Sequence, residues 1–388
     1  MSTQLKLESI NLEYTEKLNG DKSVIDTCEK QSANEELGNA PKYLEEFSVD
    51  TDQLTLLFDI KTDTKKLIDQ RFGRLANCLL NIYKNQEDNY SLKQLIKSDS
   101  NYTAAIMFPI NFDSGAKIHG NSGVPYLHIS IKPNGNRAYL RVEFKGFPYT
   151  NEQLLSIRVI LSFLLGKQYE SYMSKARVSS IHIACDILGM RPDYLVFDKL
   201  RSQKGKIYFG KDGKIESIYL GEHKASSHVL IYDLNAKAQS SGETEPTDQV
   251  MRVECRYKFK KSDLIQFSNV AAITDMFGQI SGYDIPSMVE SEYFSPDFID
   301  AITGKGLIPI LQKRSQKEKS EIQEKMKVFQ VHWFRQGKIF SEWQRSLEKF
   351  EVLTKPIGEK LEGVYEELKN EFKMSLPKKS KKTRKFKK

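Results

Sequence analysis

The sequence predicts an α+β fold: an antiparallel-dominated sheet with packed helices over residues 47–260, followed by a helical C-terminal region. Three observations point to it. VSSIHIACDIL (178–188), SSHVLIYDLNAK (226–237) and MRVECRYKF (251–259) alternate apolar and polar residues, as half-buried strands do. Other stretches, such as 63–97 and 150–176, space their apolar residues at the helical period. Gly, Pro and Asn punctuate the segments between them.

Residues 1–46 carry ten acids against five lysines without a clear period, and read as a polar acidic N-terminal arm. SVDTDQLTLLFDI (48–60) is rich in β-branched and aromatic residues and reads as the first core strand. Leu67, Phe72, Leu75, Leu79, Ile82 and Tyr83 then mark a helix within 63–97. Strands follow in YTAAIMFPINF, PYLHISIKPNG and RAYLRVEFKG (102–146), with Asn134-Gly135 at the bend of a hairpin. Thr150 followed by Gln153 caps a helix over 150–176 that should pack on the sheet. KIYFGKDGKIESIYLG (206–221) reads as a strand pair around a Gly turn, and QSSGETEPTDQ (239–249) as a polar loop. Beyond residue 260 the pattern is mainly helical, and the stripe holding Trp333 and Trp343 reads as helix-packing core. Residues 261–376 are accordingly a helical DNA-binding or accessory region, ending in an amphipathic helix over 355–373. No internal repeat is visible in the sequence.

With 388 residues and 39% apolar content, the chain can bury a sizeable core. Its longest greasy patch, RVILSFLLG (158–166), falls well short of the roughly 20 residues that span a bilayer, so no membrane partner is expected. MSTQLKLESINLEY lacks the apolar centre of a secretory signal. Cys28, Cys78, Cys185 and Cys255 are scattered without CxxC spacing, which suits a reducing, cytoplasmic setting better than a zinc ribbon or disulfide framework.

The net charge of +8 is concentrated in the basic tail, residues 377–388, which holds seven Lys, one Arg and no acid. Lys378, Lys379, Lys381, Lys382, Arg384 and Lys385 are therefore candidate DNA contacts. Eight such charges on phosphates would give a log K versus log salt slope of about −7.

Alternation also sorts the chemistry. His182 and Asp186 share one strand face, as do Arg252, Glu254 and Arg256, and His228 and Tyr232. The opposing positions, Ile181, Ile183, Ile187, Val229 and Ile231, are apolar. Stability alone does not ask for a sheet face lined by His, Asp, Glu, Arg and Tyr.

The succession VDTDQLTLLFDI, LHISIKPNGNRAYLRVEF, IHIACDIL, YLGEHKASSHVLIYDLNAK and MRVECRYKF resembles the trans-acting Rep family of rolling-circle plasmid and phage replication initiators, over roughly residues 48–260. The resemblance implies a degenerate HUH/Rep-like nicking fold and site-specific nicking of DNA at a replication origin. A tyrosine would attack a phosphodiester, form a 5′-phosphotyrosyl link and free a 3′-OH. A host helicase is implied as partner, since the chain has no GxxxxGK[ST] motif, and a homodimer is left open. The chain departs from the family pattern at Leu230, where Arg is frequent, and at Leu234, where Lys is usual; the nearest lysine is Lys237. His182 leads a strand that usually opens on Arg or Asp.

On the matching strands Tyr232 is the expected nucleophile, with Tyr219 next in line. His182, Asp186 and Glu254 form the expected metal set for Mg²⁺ or Mn²⁺, joined at most by His128, because hard oxygens plus an imidazole suit those ions. Arg252 and Arg256 flank Glu254 and either clamp phosphate oxygens or ion-pair with it. Lys224 and Ser226, in GEHKASS, are expected DNA contacts. Two alternatives keep the same face: a non-catalytic DNA-binding initiator or regulator, and a relaxase of a mobile element.

Overall fold

A computed structural model describes residues 47–83, 96–99, 101–110, 126–145, 148–200, 202, 204–222, 225–241, 248–331, 334 and 336–376. The strands are β1 (Phe47–Phe58), β2 (Ile96–Asp99), β3 (Tyr102–Pro109), β4 (Tyr126–Pro133), β5 (Leu140–Lys145), β6 (Arg177–Leu188), β7 (Leu195–Lys199), β8 (Gly205–Phe209), β9 (Ile215–Leu220), β10 (Ser227–Asp233), β11 (Val250–Lys258), β12 (Ile265–Gln266) and β13 (Ile280–Asp284). The helices are α1 (Thr62–Tyr83), α2 (Asn151–Leu165), α3 (Tyr169–Met173), α4 (Leu234–Ser241), α5 (Ile285–Glu290), α6 (Pro296–Lys305), α7 (Leu307–Gln312), α8 (Gln316–Met326), α9 (Gln336–Ser346) and α10 (Glu359–Ser375). The fold is α+β, with one large antiparallel sheet, packed helices and a helical C-terminal region.

The sheet runs in the order β2-β3-β4-β5-β1-β6-β11-β10-β9-β8, with β12 added on β6; β7 and β13 make a separate pair. Local sequence sets several of these elements. Gly135, at φ +82°, turns the chain between β4 and β5 in a conformation that other residues resist. Thr150 and Gln153 close a reciprocal capping box at the start of α2, satisfying backbone donors that the first turn leaves open.

The strand order hides a repeat. Counted outward from the centre, one half is β1, β5, β4, β3, β2 and the other is β6, β11, β10, β9, β8. Each half opens with a 12-residue central strand and ends on the strand next to it. The two central strands pair antiparallel, with Gln53 opposite His182. What the halves share is topology and register, which leave almost no trace in residue identity.

One sheet face is apolar and covered. Leu54, Leu56, Val142, Phe144, Ile183, Val229 and Val253 are at most 1% exposed and share a core with α2 residues such as Leu154 and Ile157. The C-terminal helices contribute to this same core through Trp343, Phe350, Leu353 and Phe372. Trp343 Nε1 donates to Thr51 Oγ1 of β1 at 3.2 Å. Arg158 of α2 ties the layers further by donating to the carbonyls of Val352 and Lys355, both at 2.5 Å. A smaller cluster, including Met288, Ile302, Leu307 and Met326, packs over Val196 of β7. Among the described residues no helix is long and apolar enough to cross a membrane.

Candidate active site

The opposite sheet face is polar, and the register of β6, β11 and β10 aligns its residues in rows. His182, Arg256 and His228 form one row; Ala184, Glu254 and Leu230 the next; Asp186, Arg252 and Tyr232 the third. Side chains at every second position of each strand therefore meet on one surface.

Glu254 is the centre of the second row and is 1% exposed. His182 Nδ1 lies 2.9 Å from its Oε1, while Arg256 binds both carboxylate oxygens through Nε and Nη2, each at 2.7 Å. Burial alone would push this carboxyl up. The bonds from His182 and Arg256 outweigh it and hold the group well below the usual carboxylate range.

Asp52 completes the group. The pairs Thr51–Ile183 and Gln53–His182 leave it as the extra residue of a β-bulge. A bulge re-aims side chains. Ligand atoms of Asp52, His182 and Glu254 all lie within 4.8 Å of one another. Asp52 is pushed above the ordinary aspartate value, first by burial and then by the charge of Glu254, despite the nearby Arg252 and Lys237. Two hard carboxylates under mutual repulsion, beside an imidazole, fit a small divalent cation.

Asp186, expected in the metal set, is instead held by Arg252. The guanidinium donates to Asp186 through Nε at 2.5 Å and Nη2 at 2.8 Å, and reaches Asp52 Oδ1 through Nη1 at 3.1 Å. A paired fork of this kind fixes both partners geometrically. Burial works against the arginine charge, but these bonds and nearby Tyr232 hold its pKa above the usual range.

Tyr232 is 4% exposed and sits beside Arg252 in its row. Helix α4 begins directly after β10, with Asp233 Oδ1 accepting from the backbone N–H of Ala236 at 3.0 Å. That turn brings Lys237 back over the strand. Its Nζ donates to the Tyr232 hydroxyl at 3.1 Å and stands 4.7 Å from the ring centroid. Burial raises the phenol pKa, supported by Glu254 and Asp52, while Arg252 and Lys237 pull the other way.

The remaining expected residues are placed as follows. Tyr219 stacks on His228 with ring centroids 6.4 Å apart. Ser226 is exposed at the entry to β10. His128 lies 3.5 Å from Glu143, in the other half of the sheet, rather than with His182 and Glu254. Lys224, Trp333, the 1–46 arm and the tail with Lys378, Lys379, Lys381, Lys382, Arg384 and Lys385 lie outside the described residues. Sequence reasoning missed Asp52 altogether, and gave Lys237 no role although it is the lysine that reaches the phenol.

No family model and no curated protein matches the chain. Among solved structures it is similar to a rolling circle replication initiator protein from Geobacillus stearothermophilus, at 13% identity and a TM-score of 0.31, over 56% of this chain and 76% of that one. At that score the likeness carries no weight, and the functional reading rests on the site itself.

Proposed function

We propose that this chain is a rolling-circle type replication initiator that nicks one DNA strand through Tyr232. The supporting observation is the single polar face on which the Tyr232 hydroxyl, the Lys237 ammonium, the Arg252 fork and the Asp52–His182–Glu254 donor set converge. Lys237 orients the phenol and favours its ionised form. Arg252 holds Asp52 in place and presents positive charge where a phosphate would sit. As the Oη–P bond forms the phenolic proton passes to water, and as the P–O3′ bond breaks the 3′ oxygen takes a proton from water. The product is a 5′-phosphotyrosyl link with a free 3′-OH. Asp52, His182 and Glu254 would hold Mg²⁺ or Mn²⁺, which when bound draws charge from the scissile phosphate. Tyr232 is almost fully covered, with the Lys237 ammonium beside its ring, so side chains around the phenol rearrange as DNA enters.

A non-catalytic DNA-binding initiator is the second reading. It is favoured by one observation: Arg252 and Arg256 are both already paired with carboxylates. Incubating the protein with supercoiled DNA carrying its own replication region and Mg²⁺ or Mn²⁺, then denaturing electrophoresis, separates the two. A covalent protein–DNA band supports nicking. Binding without any such band supports the second reading.

A further inference from the structure

The rows of the polar face do not stop at β10. The row of Ala184, Glu254 and Leu230 runs on through Tyr219 of β9 to Lys206 of β8. The row of Asp186, Arg252 and Tyr232 runs on through Ser217 to Tyr208. Residues directly opposite each other in an antiparallel pair share a face, so Lys206 and Tyr208 stand on the same surface as the Tyr232 site. Tyr208 lies two strand spacings from Tyr232 in its row, about 10 Å.

The other side of β8 is covered. Ile207 lines a cavity with Ile218 of β9 and with Leu307 and Ile308 of α7. Alternation therefore turns Lys206 and Tyr208 outward, on the last strand of the sheet. Tyr208 is 42% exposed, unlike the almost fully covered Tyr232. The Tyr219 ring meets it edge-to-face, with centroids 5.5 Å apart and planes at 68°, which fixes its orientation. Lys206 is exposed, and its Nζ stands 4.3 Å from the Tyr208 centroid. No carboxylate among the described residues pairs with Lys206, whereas neighbouring Lys204 is paired with Glu222 at 3.0 Å.

We propose that Tyr208 and Lys206 form a stacking platform for single-stranded DNA, holding a nucleotide that flanks the phosphate engaged at Tyr232. The Tyr208 ring stacks on the base, and the Lys206 ammonium takes the adjoining phosphate. An oriented, exposed aromatic ring beside a cation is the pairing that binds single strands without reading their sequence. The occupant follows from charge complementarity with a polyanion and from continuity with the Tyr232 surface. This inference rests on the DNA-binding reading above.

The test compares a fluorescent oligo(dT) 20-mer with a 20-mer of abasic deoxyribose phosphates across a salt series. Thermal unfolding of every variant is the fold control. Wild type should prefer the oligo(dT). Y208A should lose about five- to 150-fold in affinity for oligo(dT) at 0.1 M salt and change little towards the abasic strand, while Y208F keeps the ring and binds as the wild type does. K206M should flatten the log K versus log salt slope by about 0.7 on both strands, one charge on single-stranded DNA. A folded Y208A that binds oligo(dT) as tightly as the wild type would overturn the platform and leave the nicking proposal standing. Equal losses in Y208A and Y208F, or a wild type blind to the missing bases, would also overturn stacking. An unchanged slope in K206M would overturn the phosphate contact. A wild-type dimer that Y208A dissociates, with affinity per protomer unchanged, would assign this edge to a second copy of the chain instead. A wild-type protein that binds neither strand would overturn both proposals.

Discussion

Gln53 and His182 face each other across the two central strands, and each donates to the glutamate of its own half: Gln53 to Glu143 at 2.7 Å, His182 to Glu254 at 2.9 Å. The pair marks the centre of the sheet's repeat. It also marks where the halves diverge, since an imidazole can hold a metal, whereas the Gln53 carboxamide links Glu143 to Lys145, accepting from Lys145 Nζ at 2.8 Å. The extra residue between Thr51 and Gln53 then adds Asp52 to the histidine side.

Asp52 and Asp186 should separate by function. D52N removes a member of the donor set, so adduct formation should fall at least a hundredfold and require far more Mn²⁺. D186N loosens Arg252 but leaves the donor set, so the Mn²⁺ requirement should stay near that of the wild type. Adduct yield against Mn²⁺ concentration reads both. Since Asp52 is raised above its ordinary value, Mn²⁺ affinity should also fall off earlier on acidification than an ordinary aspartate would allow.

Lys237 should act on rate rather than on fold. K237M removes a charge-assisted hydrogen bond to the phenol, worth about 1.5–3 kcal/mol. Adduct formation at pH 7.5 should slow by about ten- to a hundredfold. Because burial raises the Tyr232 pKa, the wild-type rate should keep climbing with pH past the ordinary phenol value of about 10. A rate that levels off near neutral pH would show that phenol ionisation is not limiting.

Glu143 ties stability to acid. Burial pushes its carboxyl up, but His128, Lys145 and Arg141 together pull it from 4.5 to about 2. A depressed carboxylate stabilises the fold above its unfolded pKa, and that contribution is lost as pH falls from about 4.5 towards 2. The loss is about 3 kcal/mol in all, more than half of it by pH 3. In urea melts the stability gap between wild type and E143Q should narrow by that amount on acidification. A gap independent of pH would contradict the assignment.

Arg158 should matter to the whole molecule. R158M leaves the carbonyls of Val352 and Lys355 without their buried donor and should cost about 2–4 kcal/mol by denaturant unfolding. The basic tail should matter only to binding. Deleting 377–388 should flatten the salt slope of DNA binding by up to about seven while adducts still form at low salt.

Much of the site was legible because period-two alternation survives in uninterrupted stretches. It put His182 with Asp186, Arg252 and Arg256 with Glu254, and His228 with Tyr232, each on one face of its own strand, and the registers of β6, β11 and β10 bring those faces together. Asp52 was not legible. Counting back from Leu56 and Leu54, alternation assigns it to the apolar face, and only the bulge turns it round. Lys237 stands five residues from Tyr232, too far for strand spacing to connect them; the helical turn after Asp233 does so. Alternation is also silent on which strands become neighbours, and the shared Arg-Val-Glu at 141–143 and 252–254 is too short a match to reveal the repeat.

The central claim is that Tyr232 attacks DNA. The most direct measurement digests the covalent complex formed on the chain's own replication region and maps the modified peptide by mass spectrometry, for the wild type and Y232F. The phosphotyrosyl mass should fall on residue 232, and Y232F should form no complex while still binding the DNA, since it loses only a hydroxyl. A nucleotide mapped to Tyr219 or elsewhere, or an undiminished complex with Y232F, would contradict it.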